Sequence, residues 1–127
     1  AAASARLGRG ATLLVVTADL PRLRAVDVDR LLASDAEVAI AGTDDGGTGG
    51  LLRRPATVMG TAYGPRSAAR HERMARAAGL RIRVHELAGF RHDVDTWDDL
   101  VALRHGYVGR ATSAFLATIG DRLDAAG

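Results

Sequence analysis

Three aspartates in two short motifs are the residues of this chain best suited to chemistry. Asp19 follows an apolar run in Leu13-Leu14-Val15-Val16-Thr17-Ala18-Asp19-Leu20-Pro21, and Asp93 and Asp95 flank one valine in His92-Asp93-Val94-Asp95-Thr96. An extended backbone turns residues i and i+2 to the same side, so Asp93 and Asp95 can form a two-toothed clamp. A carboxylate at the C-terminal end of a buried strand sits where open α/β sheets bind ligands. Three carboxylates on one point repel each other unless a divalent cation lies among them. Mg²⁺ suits such a place, because it takes a few carboxylates together with water and substrate phosphates. Each motif also has a plainer reading: Asp19 as a turn residue before Pro21, and the Asp-Val-Asp-Thr stretch as the start of a helix. What favours the site is that both motifs can reach one crevice at the end of a sheet.

Two further segments could meet a ligand. Gly42-Thr43-Asp44-Asp45-Gly46-Gly47-Thr48-Gly49-Gly50 lacks the Gly-Lys-Ser/Thr of a phosphate-binding loop and opens no helix. It reads as a mobile, hairpin-like connection, or as bare backbone around Gly47 and Gly49 that lets Thr48 approach a ligand. Tyr63-Gly64-Pro65-Arg66-Ser67 reads as a turn into a helix, with Ser67 as its N-cap. The free N–H groups of a helix start also attract anions. His71, one turn on, is read equally as a packing residue or a ligand contact. His85, His92 and His105 have no ligand-like spacing with acids and receive no metal role.

The elements that must hold these residues follow from periodicity. The apolar run 12–16 and the run 37–41 are strand-length and continuous, as buried parallel strands are. Residues 51–53 resume a strand, Val58-Met59 a short extended piece, and Ile82 and Val84 alternate with arginine in another strand. Helices are expected over 25–33, 68–78 with Gly79 as its terminator, 96–104 behind a Thr96/Asp99 capping box, and 111–119 with Ala114, Phe115 and Ile119 on one face. Alternating strands and helices predict an α/β fold with a largely parallel sheet.

The chain has 127 residues, enough for one domain or part of one, with 47% hydrophobic residues and a net charge of +2. It has no cysteine, which excludes a disulfide framework and thiolate metal sites. All 17 basic residues are arginine, and with 4% aromatics and no basic block, nucleic-acid binding has little support. No apolar run approaches the roughly 20 residues of a membrane span, so a soluble cytoplasmic protein with no membrane partner is expected. The opening Ala1-Ala2-Ala3-Ser4-Ala5-Arg6 has no initiator Met and resembles the tail of a helix.

Ala18-Asp19-Leu20-Pro21, Asp44-Asp45-Gly46-Gly47-Thr48-Gly49, Tyr63-Gly64-Pro65-Arg66-Ser67-Ala68-Ala69-Arg70-His71 and Asp93-Val94-Asp95-Thr96 occur in that order. Together they resemble the 2-phospho-L-lactate / phosphoenolpyruvate guanylyltransferase family of deazaflavin coenzyme F420 biosynthesis, over roughly residues 8–110. The GPRSAARH segment is the specific element; the Asp-Leu-Pro and Asp-Val-Asp-Thr elements are shared with molybdopterin guanylyl- and cytidylyltransferases. The resemblance implies a Rossmann-like nucleotidyltransferase fold of the nucleotide-diphospho-sugar transferase type. It implies that GTP is joined to a phosphorylated three-carbon acid with release of pyrophosphate. Phosphoenolpyruvate is favoured, since the lysine-free composition suits the actinobacterial branch. By the same resemblance Asp19, Asp93 and Asp95 would be catalytic and hold Mg²⁺, and Thr48, Gly64 and Ser67 would hold the acid. Trp97 replaces a usual Pro and Arg24 a usual Thr cap, departures that touch helix starts more than chemistry. The family's N-terminal strands and guanine-recognition loops have no counterpart here. Residues 1–127 are therefore expected to be the C-terminal portion of a single nucleotidyltransferase domain, with a metal and acid half-site but no complete GTP site. The alternatives are a molybdopterin-type nucleotidyltransferase and a non-catalytic fragment, and a homodimer is left open.

Overall fold

The computed structural model describes residues 7–125, so the expected helix tail at Ala1–Arg6 lies outside the described residues. Strand β1 (Leu13–Val16) leads through helix α1 (Ala25–Leu32) to β2 (Val38–Gly42) and β3 (Thr48–Arg53). Helix α2 (Ser67–Ala77) then leads to β4 (Ile82–His85), the short α3 (Ala88–Arg91), α4 (Trp97–Ala102), α5 (Arg110–Thr118) and α6 (Gly120–Asp124). The architecture is mixed α/β, with one four-stranded sheet in the order β1-β3-β2-β4.

The sheet is not largely parallel. Strand β3 pairs antiparallel with both β1 and β2, and of the three strand pairings only that of β2 with β4 is parallel. The cause is the connection between β2 and β3. Residues 43–47 are too few for a crossover, which needs a dozen or more, so the chain turns back as a hairpin and inserts β3 between β1 and β2. The hairpin reading of the glycine stretch therefore holds, but the loop is shorter than expected. Gly49 and Gly50 are buried strand residues. A Cβ on Gly50 would lie 2.7 Å from Leu31 Cδ2 and 2.8 Å from Phe90 Cε1, so bare backbone there serves close packing rather than freedom.

Strand β2 sets the two-faced core by its alternation. Ala39 and Ala41 join Leu20, Leu31, Leu52, Leu87 and Phe90 in one cluster, while Val38 and Ile40 join Leu51 and Ala75 in another. Helices α1 and α3 cover the first face and α2 the second. Strand β1 forms one sheet edge, with Leu13, Leu14 and Val15 half-buried and Val16 exposed. Among the described residues no helix is long and apolar enough to cross a membrane.

Several local expectations change. Val58 and Met59 form no strand; they pack against the second cluster, and the Met59 carbonyl accepts a 2.8 Å bond from Arg53 Nη1. Helix α5 buries none of its residues, and Phe115 is 53% exposed. Gly79 terminates α2 with φ +70°, as expected. The capping box is present: the Asp99 N–H donates to Thr96 Oγ1 at 3.2 Å, and Asp99 Oδ2 accepts the Thr96 N–H at 2.9 Å. Trp97, exposed at the first position of α4, lies under the Arg122 guanidinium at 5.6 Å.

Candidate active site

Because β1, β2 and β4 run one way and β3 the other, the C-terminal ends of three strands and the N-terminal end of β3 share one edge of the sheet. Asp19 follows β1, the 43–47 loop follows β2, Thr48 opens β3, and the 92–96 segment follows β4 by way of α3. The sheet therefore gathers every site residue of the two acid motifs and the glycine loop at one end.

Asp19, Asp93 and Asp95 meet there. One carboxylate oxygen from each lies within 4.8 Å of the others. The Val94 N–H donates to the Asp19 carbonyl at 3.2 Å, so the two motifs are joined through backbone as well. None of the three forms an ion pair among the described residues. Burial first, and then the charges of Asp45, Asp95 and Asp19, hold the Asp93 carboxyl above its ordinary 3.8 against the pull of its own backbone N–H. Unpaired, converging and open to water, this oxygen set fits a hard divalent cation that keeps water and substrate ligands.

A fourth carboxylate is present that sequence reasoning missed. Asp45 acts on Asp93 more strongly than Asp95 or Asp19 does. Its own carboxyl is lowered, first by the Thr43 hydroxyl and then by the Gly47 N–H, which donates to it at 2.9 Å. Its neighbour Asp44 takes a 2.9 Å ion pair from Arg91 Nε and lies 3.1 Å from His92 Nδ1, while the Asp44 N–H donates to the Arg91 carbonyl at 2.8 Å. These bonds fasten the loop to the segment that carries Asp93.

The other side of the loop is fastened to α2, where the Ala68 N–H donates to the Gly46 carbonyl at 3.2 Å. Here the N-cap expectation is corrected. Arg66 holds the cap position with a left-handed φ of 56°, and Ser67 is the first helical residue. That left-handed turn sends the Ser67 side chain inward, 1% exposed, to within 2.9 Å of Thr48 Oγ1. Thr48 is itself 4% exposed. Gly64 has φ +111° and its carbonyl accepts the Ser67 N–H at 3.1 Å. With the Ser67 and Ala68 N–H groups both taken, the helix start offers fewer free donors than the sequence suggests.

His71 completes this group and is fully buried. Its Nδ1 lies 3.0 Å from Thr48 Oγ1, and its Nε2 accepts the Ala62 N–H at 2.8 Å. Burial first, then the charges of Arg70 and Arg53, lower the His71 pKa below its ordinary 6.5. The signal for it was in the spacing. Ser67, His71 and Ala75 recur every four residues, which places them on one face of a helix, and they are the buried residues of α2.

Comparison with known proteins bears on the same residues. Residues 7–125 match a family model described as "Guanylyl transferase CofC like". The chain is 37% identical over 125 residues to a 3-phospho-D-glycerate guanylyltransferase of Phenylobacterium zucineum, covering 95% of this chain and 57% of that protein. It is 40% identical over 111 residues to a phosphoenolpyruvate guanylyltransferase of Sphaerobacter thermophilus, covering 84% and 54%. It is 36% identical over 90 residues to a 2-phospho-L-lactate guanylyltransferase of Methanothermobacter thermautotrophicus, covering 69% and 40%. The chain thus spans about half the length of the curated relatives it matches. Matched from end to end of its described residues, and identical at a third or more of the aligned positions to relatives of three substrate names, the chain belongs to the CofC-like guanylyl transferase family.

Proposed function

We propose that this chain supplies the metal and acid-substrate part of a cytoplasmic guanylyltransferase with a Rossmann-like nucleotidyltransferase fold. The reaction joins GTP to a phosphorylated three-carbon acid and releases pyrophosphate. The observation that carries the reading is the meeting of Asp19, Asp93 and Asp95 at the same end of the sheet as the Thr48–Ser67 hydroxyl pair.

The chemistry asks little of a general base. A phosphate oxygen of the acid, already anionic, attacks the α-phosphorus of GTP. One P–O bond forms, the bond to the β,γ-pyrophosphate breaks, and that group leaves with the electron pair. The difficulty is to bring two polyanions together and hold the charge that spreads between them. Mg²⁺ held by Asp19, Asp93 and Asp95 would neutralise phosphate oxygens. Thr48, Ser67 and the backbone at Gly64 would orient the acid beside it. Asp45, drawn to low pKa by Thr43 and Gly47, keeps negative charge next to the clamp and adds to its pull on cations.

Relatives named for phosphoenolpyruvate, 3-phospho-D-glycerate and 2-phospho-L-lactate frame the choice of acid. Phosphoenolpyruvate is favoured, because the lysine-free composition suits the actinobacterial branch that the resemblance links to that acid. The test is pyrophosphate release by the full reading frame that encodes this chain, given GTP, Mg²⁺ and each acid in turn. Release with one acid supports the reading and names the substrate. A folded protein that releases none with any acid overturns it.

A further inference from the structure

The Thr48–Ser67–His71 group can be resolved to the level of individual hydrogens. A backbone N–H can only donate, so the Ala62 N–H fixes His71 Nε2 as an acceptor without a proton. The neutral ring must then carry its proton on Nδ1, and Nδ1–H donates to Thr48 Oγ1 at 3.0 Å. Between Thr48 Oγ1 and Ser67 Oγ there is one bond, at 2.9 Å. Three hydrogens are thus available, on Nδ1, Thr48 and Ser67, and the two bonds use two of them. One hydroxyl hydrogen remains, with no acceptor among the described residues, on side chains 4% and 1% exposed. Buried hydroxyl donors are rarely left unused, because the lost hydration is not repaid.

We infer that His71 is a positioning residue that sets the direction of the hydroxyl pair, so that Thr48 and Ser67 together present a donor to a ligand oxygen. A pair so directed favours an ionised carboxylate or phosphate, which only accepts, over a group that must itself donate. With the opposite tautomer, Nε2–H would face the Ala62 N–H, and Nδ1 would claim the Thr48 proton. The pair's remaining proton would then lie between the two hydroxyls, leaving none for a ligand. The inference rests on the reading that Thr48 and Ser67 face the acid substrate. It goes beyond that reading in giving the buried imidazole a part in which acid oxygen is recognised. The lowered pKa of His71 agrees with a ring held neutral.

Two measurements test this. The first is nitrogen NMR of ¹⁵N-histidine in the chain at neutral pH, where His71 should show a protonated Nδ1 and a bare Nε2; a protonated Nε2 overturns the inference. The second uses two variants in the full reading frame, with folding checked by thermal unfolding. His71→Asn can keep an N–H near the Nδ1 position, whereas His71→Gln keeps an acceptor near Nε2 and loses the donor to Thr48. The Gln variant should raise KM for the acid about tenfold while GTP KM and kcat stay within about twofold, as loss of one hydrogen bond to a charged group predicts. The Asn variant should recover most of that loss. Equal losses in both variants, or an unchanged acid KM in the Gln variant when Ser67→Ala raises it, would overturn the inference alone. An unchanged acid KM in Ser67→Ala would remove the acid from the pair and both readings with it. If neither His71 variant folds, the NMR tautomer decides.

Discussion

Asp19, Asp93 and Asp95 reach the end of the sheet on connecting segments, exposed or half-buried, with no ion pair among the described residues. Thr48, Ser67 and His71 reach the same end on a strand and a helix, almost wholly buried and bonded to one another. The two groups share the 43–47 loop, which touches the first through Asp45 and the helix of the second through the Gly46–Ala68 bond. Their energetics are opposed. In the acid cluster, the charges of Asp45, Asp95 and Asp19 add to burial in raising the cost of keeping Asp93 charged, so the folded state carries repulsion that a cation would relieve. In the buried group, each member is hydrogen-bonded to another and a single hydroxyl hydrogen is left over, so the folded state gains from their being together. Function and stability therefore pull apart in one region and coincide in the other.

The largest test of that contrast is Asp95→Asn. Metal-dependent guanylyl transfer in the full reading frame should fall by roughly a thousandfold or more, since metal stabilisation of phosphoryl charge is worth several kcal/mol. Thermal unfolding of the metal-free protein should show no loss of stability. Near-normal pyrophosphate release would remove Asp95 from the site. Ser67→Ala should do the opposite, costing both properties at once. Acid affinity, read by calorimetry, should weaken by about 1.5–3 kcal/mol, and stability should fall by about 1 kcal/mol. A variant that loses affinity with full stability would break the comparison.

Asp93→Asn should stabilise the metal-free protein, by only about 0.5 kcal/mol because solvent screens a half-buried carboxylate. The sign follows from a folded-state pKa above the ordinary 3.8. Wild type has its full stability below the ordinary value and loses some as pH rises through the raised one. The gain from Asn should therefore be absent in acid and complete at neutral pH in chemical denaturation. Mg²⁺ should raise the unfolding midpoint of wild type and leave the variant unmoved. The smallest effect concerns His71, whose pKa is lowered. Its contribution is full above the ordinary 6.5 and is lost as pH falls toward the folded value. Stability should slope downward below that pH, less steeply in His71→Asn. His85 keeps part of the slope, since burial and Arg83 lower its pKa too.

The acid cluster was the more legible region. An Asp-Val-Asp triplet on extended backbone, and an aspartate closing an apolar run, announce their direction from local geometry alone. Strand β2 was legible for a similar reason, being apolar on both faces. What was hidden depended on pairing at a distance. Alternating strands and helices fit a sheet with β3 inserted between β1 and β2 as well as one without. The glycine loop and the helix start each suggested a ligand contact at Thr48 and Ser67, but their sharing of one acid came only through the family resemblance, because nothing local shows that a strand start and a helix start will touch. Asp45 was hidden by its glycines, which read as freedom when its carboxylate is in fact held by Thr43 and Gly47. The four-residue step from Ser67 to His71 was readable, but a histidine in a polar helix gave no reason to prefer burial.

The glycines of β3 have one more consequence. Phe90 stands on the bare backbone at Gly49 and Gly50, and three residues later the same segment carries Asp93. The thickness of one aromatic ring thus gauges how high the acid segment rides above the sheet. A single methyl added below that ring would be carried along a short, stiff linkage to the clamp. The accuracy with which the carboxylates meet is thus set in part by packing inside the hydrophobic core.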